Sequence, residues 1–70
     1  MDVDRILAVI NVDGRAFLNR INLTRAVGVE VDGTTYTVAR NFVRGGASVF
    51  GGEIAVLLKF DAANGTWSRA

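Results

Sequence analysis

The chain has 70 residues and a formal net charge of +1, and half of its residues are hydrophobic. It contains no cysteine and no histidine. A disulfide is therefore excluded, and a zinc site would need carboxylates alone, which is unusual. This length supports a single domain, residues 1–70, that buries only about 60% of its unfolded surface. Small domains usually need a disulfide, a metal or a partner subunit, so the composition indicates assembly.

Turn-forming dipeptides divide the chain at short intervals. They are Asp13-Gly14, Asp32-Gly33, Gly45-Gly46, Gly51-Gly52 and Asn64-Gly65. Asp-Gly and Asn-Gly favour the type I′ turns of β-hairpins. The pattern predicts an all-β fold, a small barrel or sandwich of five to six mostly antiparallel strands. We place the strands near residues 5–12, 15–24, 27–32, 34–43, 52–61 and 66–69.

The first two strands are predicted to form a hairpin around Asp13-Gly14, with a positive φ at the glycine. This register puts Ile10 opposite Phe17 and makes one face of the hairpin apolar. A helix over residues 15–27 is the alternative, because Phe17 and Ile21 lie four residues apart. With that helix the fold would be α+β.

The second hairpin is predicted around Asp32-Gly33. Its register puts Val29 opposite Tyr36 and Val27 opposite Val38, so that one face is again apolar. The glycines at 45, 46, 51 and 52 are predicted to bracket a mobile connection to the next strand.

The segment "EIAVLLKF" (53–60) carries apolar residues on both faces of a strand. Successive side chains alternate between faces, so Ile54, Val56, Leu58 and Phe60 are predicted to line the core, while Leu57 points outward. Contiguous apolar patches on a small domain usually mark an interface. The predicted partner interface comprises Leu7, Val9, Leu18, Leu57 and Trp67. In the alternative, the final segment with Trp67 covers these residues within the chain itself.

Arginine accounts for seven of the eight cations, and Lys59 is the only lysine. The second hairpin places Arg25 opposite Arg40, a destabilising arrangement of like charges. Such a cluster would suit phosphate or an acidic protein surface. In the alternative, the hairpin frays and the arginines point into water. The candidate anion or nucleic-acid contacts are Arg20, Arg25, Arg40 and Arg44.

Catalysis has little support in the sequence, because the commonest general base and the strongest nucleophile are missing. Ser48 lacks a nucleophile-elbow motif. We therefore expect no enzyme, no cofactor, no metal and no small-molecule substrate. The chain shows no signal peptide, and its longest apolar runs, Ile6–Ile10 and Ile54–Leu58, are too short to span a membrane. Cytoplasmic synthesis without membrane attachment is expected.

Two short motifs, "VDGRAF" (12–17) and "FVRGG" (42–46), resemble those of Sm-like RNA-binding proteins. The resemblance implies a ring oligomer of bent five-stranded barrels, with Arg44 and Gly45 contacting RNA. The chain departs from that family in lacking a clear N-terminal helix before its first strand.

The leading functional hypothesis is a non-enzymatic assembly subunit that packs against copies of itself or a larger protein scaffold. A component of a virus particle, such as a phage capsid decoration or tail protein, fits a chain of this size and composition. The competing hypothesis is a small nucleic-acid-binding barrel, Sm-like or of oligonucleotide-binding shape, that uses the arginines. An inhibitor of a host protein is a third possibility.

Overall fold

A computed structural model describes residues 1–70 and shows a helical segment followed by a five-stranded antiparallel sheet, which curls into a half-barrel. The fold is thus mostly β with an N-terminal helical segment. The helices are α1 (Val3–Ile10) and α2 (Gly14–Thr24), joined by a 3₁₀ turn at Asn11–Asp13. The strands are β1 (Ala26–Val31), β2 (Thr34–Arg40), β3 (Ala47–Gly51), β4 (Ile54–Asp61) and β5 (Thr66–Arg69).

Both helices begin at an aspartate. The Asp2 carboxylate accepts the N–H of Arg5 (3.2 Å), and the Asp13 carboxylate accepts the N–H of Ala16 (3.1 Å). Each caps a helix N-terminus by satisfying a free backbone donor. The predicted hairpin over 5–12 and 15–24 is therefore wrong, and Gly14 is right-handed helical with φ −65°. The alternative helix is present, but it ends at Thr24.

The sheet is a simple meander in which each strand pairs with the next along the chain. The second predicted hairpin is confirmed, with Val29 opposite Tyr36 and Val27 opposite Val38. Asp32 and Gly33 have φ of 51° and 80°, as the type I′ turn requires.

The centre of the sheet is β3, in the segment predicted as a mobile glycine-rich connection. That prediction is wrong, because Ala47 and Val49 are fully buried and β3 pairs with both β2 and β4. The predicted strand 34–43 consequently ends at Arg40, and residues 41–46 form a loop that we call the β2–β3 loop.

The core lies between the helices and one face of the sheet. On β4, Leu58 is buried as predicted, whereas Ile54 at the start of the strand is 65% exposed. The other face of the sheet carries mostly small or polar side chains. The core residues are Val3, Ile6, Ile10, Phe17, Ile21, Val27, Val29, Val38, Ala47, Val49, Leu58 and Trp67.

Trp67 connects β5 to the helical segment through hydrogen bonds and packing. Its indole Nε1–H donates to the Gly14 carbonyl (2.9 Å), and its backbone N–H donates to Asn11 Oδ1 (2.7 Å). The ring packs edge-to-face on Phe17, with centroids 5.8 Å apart. Only 2% of Trp67 is exposed, so its predicted place in a partner interface is wrong and it belongs to the chain's own core.

The turn between β4 and β5 is organised by Asp61. Its carboxylate accepts hydrogen bonds from the Asn64 side-chain amide (2.7 Å) and from the backbone N–H groups of Ala63 and Asn64. These bonds, chiefly the one from the Asn64 side chain, lower the pKa of Asp61 because they favour the ionised form.

Candidate anion-binding site

Arg25 joins the end of α2 to the start of β1. Its N–H donates to the Ile21 carbonyl (2.9 Å), and its own carbonyl accepts the N–H of Arg40 (2.7 Å). The predicted pairing of Arg25 with Arg40 is therefore present. Arg25 has φ 68°, at a helix terminus where glycine is usual. A side chain in this left-handed region costs roughly 1–2 kcal/mol, so the chain carries a charged residue here at the expense of stability.

The ring of Phe42 lies close to both of these arginines. The Cζ atoms of Arg25 and Arg40 are 5.7 Å and 6.0 Å from the centroid of its ring. Each contact has cation–π geometry, which contributes about 0.5–1 kcal/mol at an exposed site. The ring itself is 71% exposed. Two like charges therefore share one aromatic ring, most of which remains open to solvent.

The β2–β3 loop is shaped by Asn41. Its Oδ1 accepts the N–H groups of Val43 (3.2 Å) and Arg44 (2.9 Å), and its Nδ2 donates to Ser48 Oγ (3.2 Å). Arg40 Nη1 also donates to the Gly46 carbonyl across the loop (3.2 Å). These bonds fix the position from which Arg44 extends into solvent.

A groove of about 630 Å³ opens beside this loop. Leu18, Leu57 and Phe60 contribute apolar walls, and Arg40, Arg44 and Lys59 contribute cationic side chains. No aspartate or glutamate lines it. The remaining lining residues are Gly45, Gly46, Leu58 and Ala70. We call the set Arg25, Arg40, Phe42, Arg44 and Lys59 the cationic end.

None of the cations of this end forms a salt bridge. The salt bridges of the chain involve only two cations, Arg5 with Asp2 and Asp32, and Arg69 with Asp4. Asp32 and Glu53 lie in the β1–β2 and β3–β4 turns, at the opposite end of the sheet from the β2–β3 loop. Asp61, by contrast, lies at the β4–β5 turn, at the same end as the β2–β3 loop, and its charge interacts with Lys59. The cations of this end without an acidic neighbour of that kind are Arg25, Arg40 and Arg44.

The other predicted residues are divided between two places. Leu18 and Leu57 are half-buried in the groove of the cationic end, while Leu7 is half-buried and packs on the core. Val9 is 45% exposed and lies with Arg20 in a second groove, between the helices and β1. The predicted apolar interface is therefore not one continuous surface, and Arg20 is not grouped with the other arginines.

Ser48, which the sequence offered as a possible nucleophile, lies in β3 next to the β2–β3 loop. Ser48 is buried, and its hydroxyl accepts the Asn41 amide. No cluster of three acidic side chains is placed to hold a metal ion. Neither helix has the length and apolar character needed to cross a membrane.

Comparisons with protein-family models, with curated proteins and with solved structures find no significant match to this chain. The "VDGRAF" motif (12–17) lies in the 3₁₀ turn and the start of α2 instead of on strands. A helix does precede the first strand, contrary to expectation.

Proposed function

We propose that the chain is a non-enzymatic module whose cationic end binds single-stranded nucleic acid. The observation that carries this proposal is the exposed Phe42 ring close to both Arg25 and Arg40, with no carboxylate within ion-pair distance of either guanidinium. Proteins that bind single strands combine a positively charged track with aromatic side chains on which bases stack.

The arrangement favours a polymer over an isolated anion. Arg40 both contacts Phe42 and lines the groove with Arg44 and Lys59. The cations therefore form a track that continues from the stacking surface into the groove. Arginine pairs with phosphate in a bidentate manner. The exposed ring of Phe42 also offers a π-face on which a nucleic-acid base can stack. An acidic protein surface would have no comparable use for this ring.

Binding of a short fluorescent single strand should weaken steeply with salt, because counterions are released from the phosphates. Replacing Arg40 with Gln should reduce the magnitude of the slope of log K against log salt by about 0.7 for each phosphate that the side chain no longer neutralises. Phe42→Ala should cost roughly 1–3 kcal/mol because a base can no longer stack on the ring, with the salt slope unchanged. Fluorescence anisotropy over a salt series measures both effects.

Arg5→Gln is the matched control, since it removes the same charge at the opposite end of the sheet and breaks only surface ion pairs. It should leave the salt slope unchanged. The proposal fails if no oligonucleotide binds at low salt, or if Arg5→Gln and Arg40→Gln reduce the slope equally. Retention of the cationic end by an acidic protein, with no nucleic-acid binding, would assign it to a protein partner.

Self-assembly is the second candidate function, and the distribution of apolar side chains favours it. Several large hydrophobic residues stay outside the core, with exposures that reach 85% for Leu23, 87% for Val12 and 95% for Val43. Exposed apolar surface of this kind on a small domain favours a partner. A role as a subunit of a virus particle is a more specific prediction than self-assembly.

Native mass spectrometry should therefore show a homo-oligomer at micromolar concentration. Leu23→Glu should shift the distribution toward monomer without loss of helix or strand content. Thr37→Glu, an exposed position on the outer face of the sheet, is the control. A chain that remains monomeric at high micromolar concentration would contradict self-assembly.

A further inference from the structure

The free edge of the sheet at β1 presents unpaired backbone groups. The N–H of Arg40 donates to the carbonyl of Arg25, and in an antiparallel ladder such hydrogen-bonded pairs recur at every second residue. Val27, Val29 and Val31 therefore bond to β2. The N–H and C=O groups of Ala26, Gly28 and Glu30 point away from the sheet.

This edge lacks the features with which proteins block strand pairing. Edge strands are usually short, bulged, or protected by lysine or proline. β5, at the other edge, is four residues long and ends at Arg69. β1 is six residues long and regular, and its only charged residue is Glu30. It is therefore open to pairing with another strand.

We propose that a second copy of the chain pairs with this edge, β1 antiparallel to β1, around a two-fold axis at Gly28. This inference rests on the self-assembly function and names its interface. The register makes three hydrogen-bonded pairs, Ala26 with Glu30 of the second copy, Gly28 with Gly28, and Glu30 with Ala26. Odd-numbered residues pair with odd-numbered ones, so the valine faces of the two sheets become continuous.

Charge along β1 selects the antiparallel orientation. The strand starts at the cation Arg25 and ends at Glu30 and the turn residue Asp32. Antiparallel pairing sets Arg25 opposite Val31 of the second copy, so the cationic start lies beside the acidic end. Within its own chain Arg25 faces Arg40, whereas in the second copy it faces the uncharged Val31 and the strand end that carries Glu30. Parallel pairing would place like charges together.

A second copy placed by this two-fold axis also covers the second groove. This groove, of about 450 Å³, runs along β1 and is lined by Val9, Val12, Phe17 and Val29, among other residues. Because the valine faces are continuous, the helices of both copies lie on the same side of the joint sheet. Val12, which is 87% exposed, then faces the helices of the second copy, and the pairing buries apolar surface along with the edge.

Amide hydrogen exchange measured by NMR at several protein concentrations tests this interface. The amides of Ala26, Gly28 and Glu30 should exchange slowly when the dimer is populated and fast on dilution. The amides of Val27 and Val29, which bond within the chain, should stay protected throughout and provide the internal control. Fast exchange at Ala26, Gly28 and Glu30 under conditions where an oligomer is present would overturn the β1 interface and leave self-assembly standing.

Two variants sharpen the test. Gly28→Pro removes an outward N–H that no bond within the chain uses, and the dimer should be lost. Glu30→Lys adds a cation to the end of β1 that lies next to the cationic start of the second copy and should weaken the dimer at least about tenfold, whereas Glu53→Lys, the same change in the β3–β4 turn, should not. Equal dimer affinity in both lysine variants would overturn the proposal. A monomer at every concentration would remove the interface and self-assembly together.

Discussion

Replacing Trp67 with alanine should remove most of the stability of the chain. Its ring is 2% exposed and contacts Phe17 and Phe60, with centroid distances of 5.8 Å and 5.3 Å. Truncating a buried tryptophan costs roughly 3–5 kcal/mol. Folded proteins are stable by about 5–15 kcal/mol, and a 70-residue domain belongs near the lower limit. The variant should therefore be largely unfolded near room temperature.

Urea denaturation followed by circular dichroism measures this loss. Trp67→Phe retains an aromatic ring but leaves the Gly14 carbonyl without its indole donor, and it should cost about 1–3 kcal/mol. Ser68→Ala, at the exposed neighbouring position, should stay within about 0.5 kcal/mol of the parent chain. If Trp67→Ala were no more destabilising than Ser68→Ala, the described packing of β5 on the helices would be incorrect.

Gly46→Ala is expected to be the second most damaging change. Gly46 has φ 64°, and a Cβ there would overlap the backbone carbonyl of Leu58 on β4. The left-handed conformation costs a side chain roughly 1–2 kcal/mol, and forcing apart packed backbone adds about 1–3 kcal/mol. The β2–β3 loop would have to move away from the sheet.

Gly45→Ala provides a matched control in the same loop. Gly45 has φ 77°, but a Cβ there meets no atom within 4 Å. Only the conformational penalty should appear, about 1–2 kcal/mol. The difference between the two denaturation midpoints then isolates the overlap with Leu58. Equal midpoints would show that the loop does not pack against β4 as described.

The β1–β2 hairpin was predictable because its signals are local. Asp32-Gly33 is a strong type I′ turn sequence, and the turn fixes the register of every residue pair behind it. Val27, Val29 and Val38 therefore reach the core as expected, and Arg25 lies opposite Arg40. The position of Arg25 beside Arg40 in the candidate site therefore follows from the register of this hairpin.

The second helix is only the alternative prediction, and the first is not predicted, because a spacing of four residues fits both a strand and a helix. Phe17 and Ile21 lie on one face in either structure. The spacing that distinguishes the two is three, and it occurs between Val3 and Ile6 and between Gly14 and Phe17, all of which are buried. Asp13 before a glycine fits a turn, but an aspartate before a periodic apolar segment is also a helix N-cap.

The rest of the site depends on tertiary contacts that leave no periodic pattern. Phe42 reaches Arg25 and Arg40 because Asn41 bends the β2–β3 loop with its own side chain. Lys59 lines the groove because β4 pairs with β3. The sequence does not reveal β3, because this strand is short and is flanked by glycines. An exposed aromatic residue between arginines was the available signal, and "ARNFVR" contains it.

The contacts of Trp67 with the helical segment affect how the chain folds during synthesis on the ribosome. The hydrogen bonds from Trp67 to Gly14 and Asn11 join residues separated by 53 and 56 positions along the chain. Contacts of such long range form late, because the intervening chain must first be ordered. The helices emerge early with Phe17 uncovered, and the core closes only after β5 has left the exit tunnel. Nascent chains of this unit therefore expose apolar surface until residue 67 has emerged from the exit tunnel, which is the interval in which chaperones or a partner subunit would engage them.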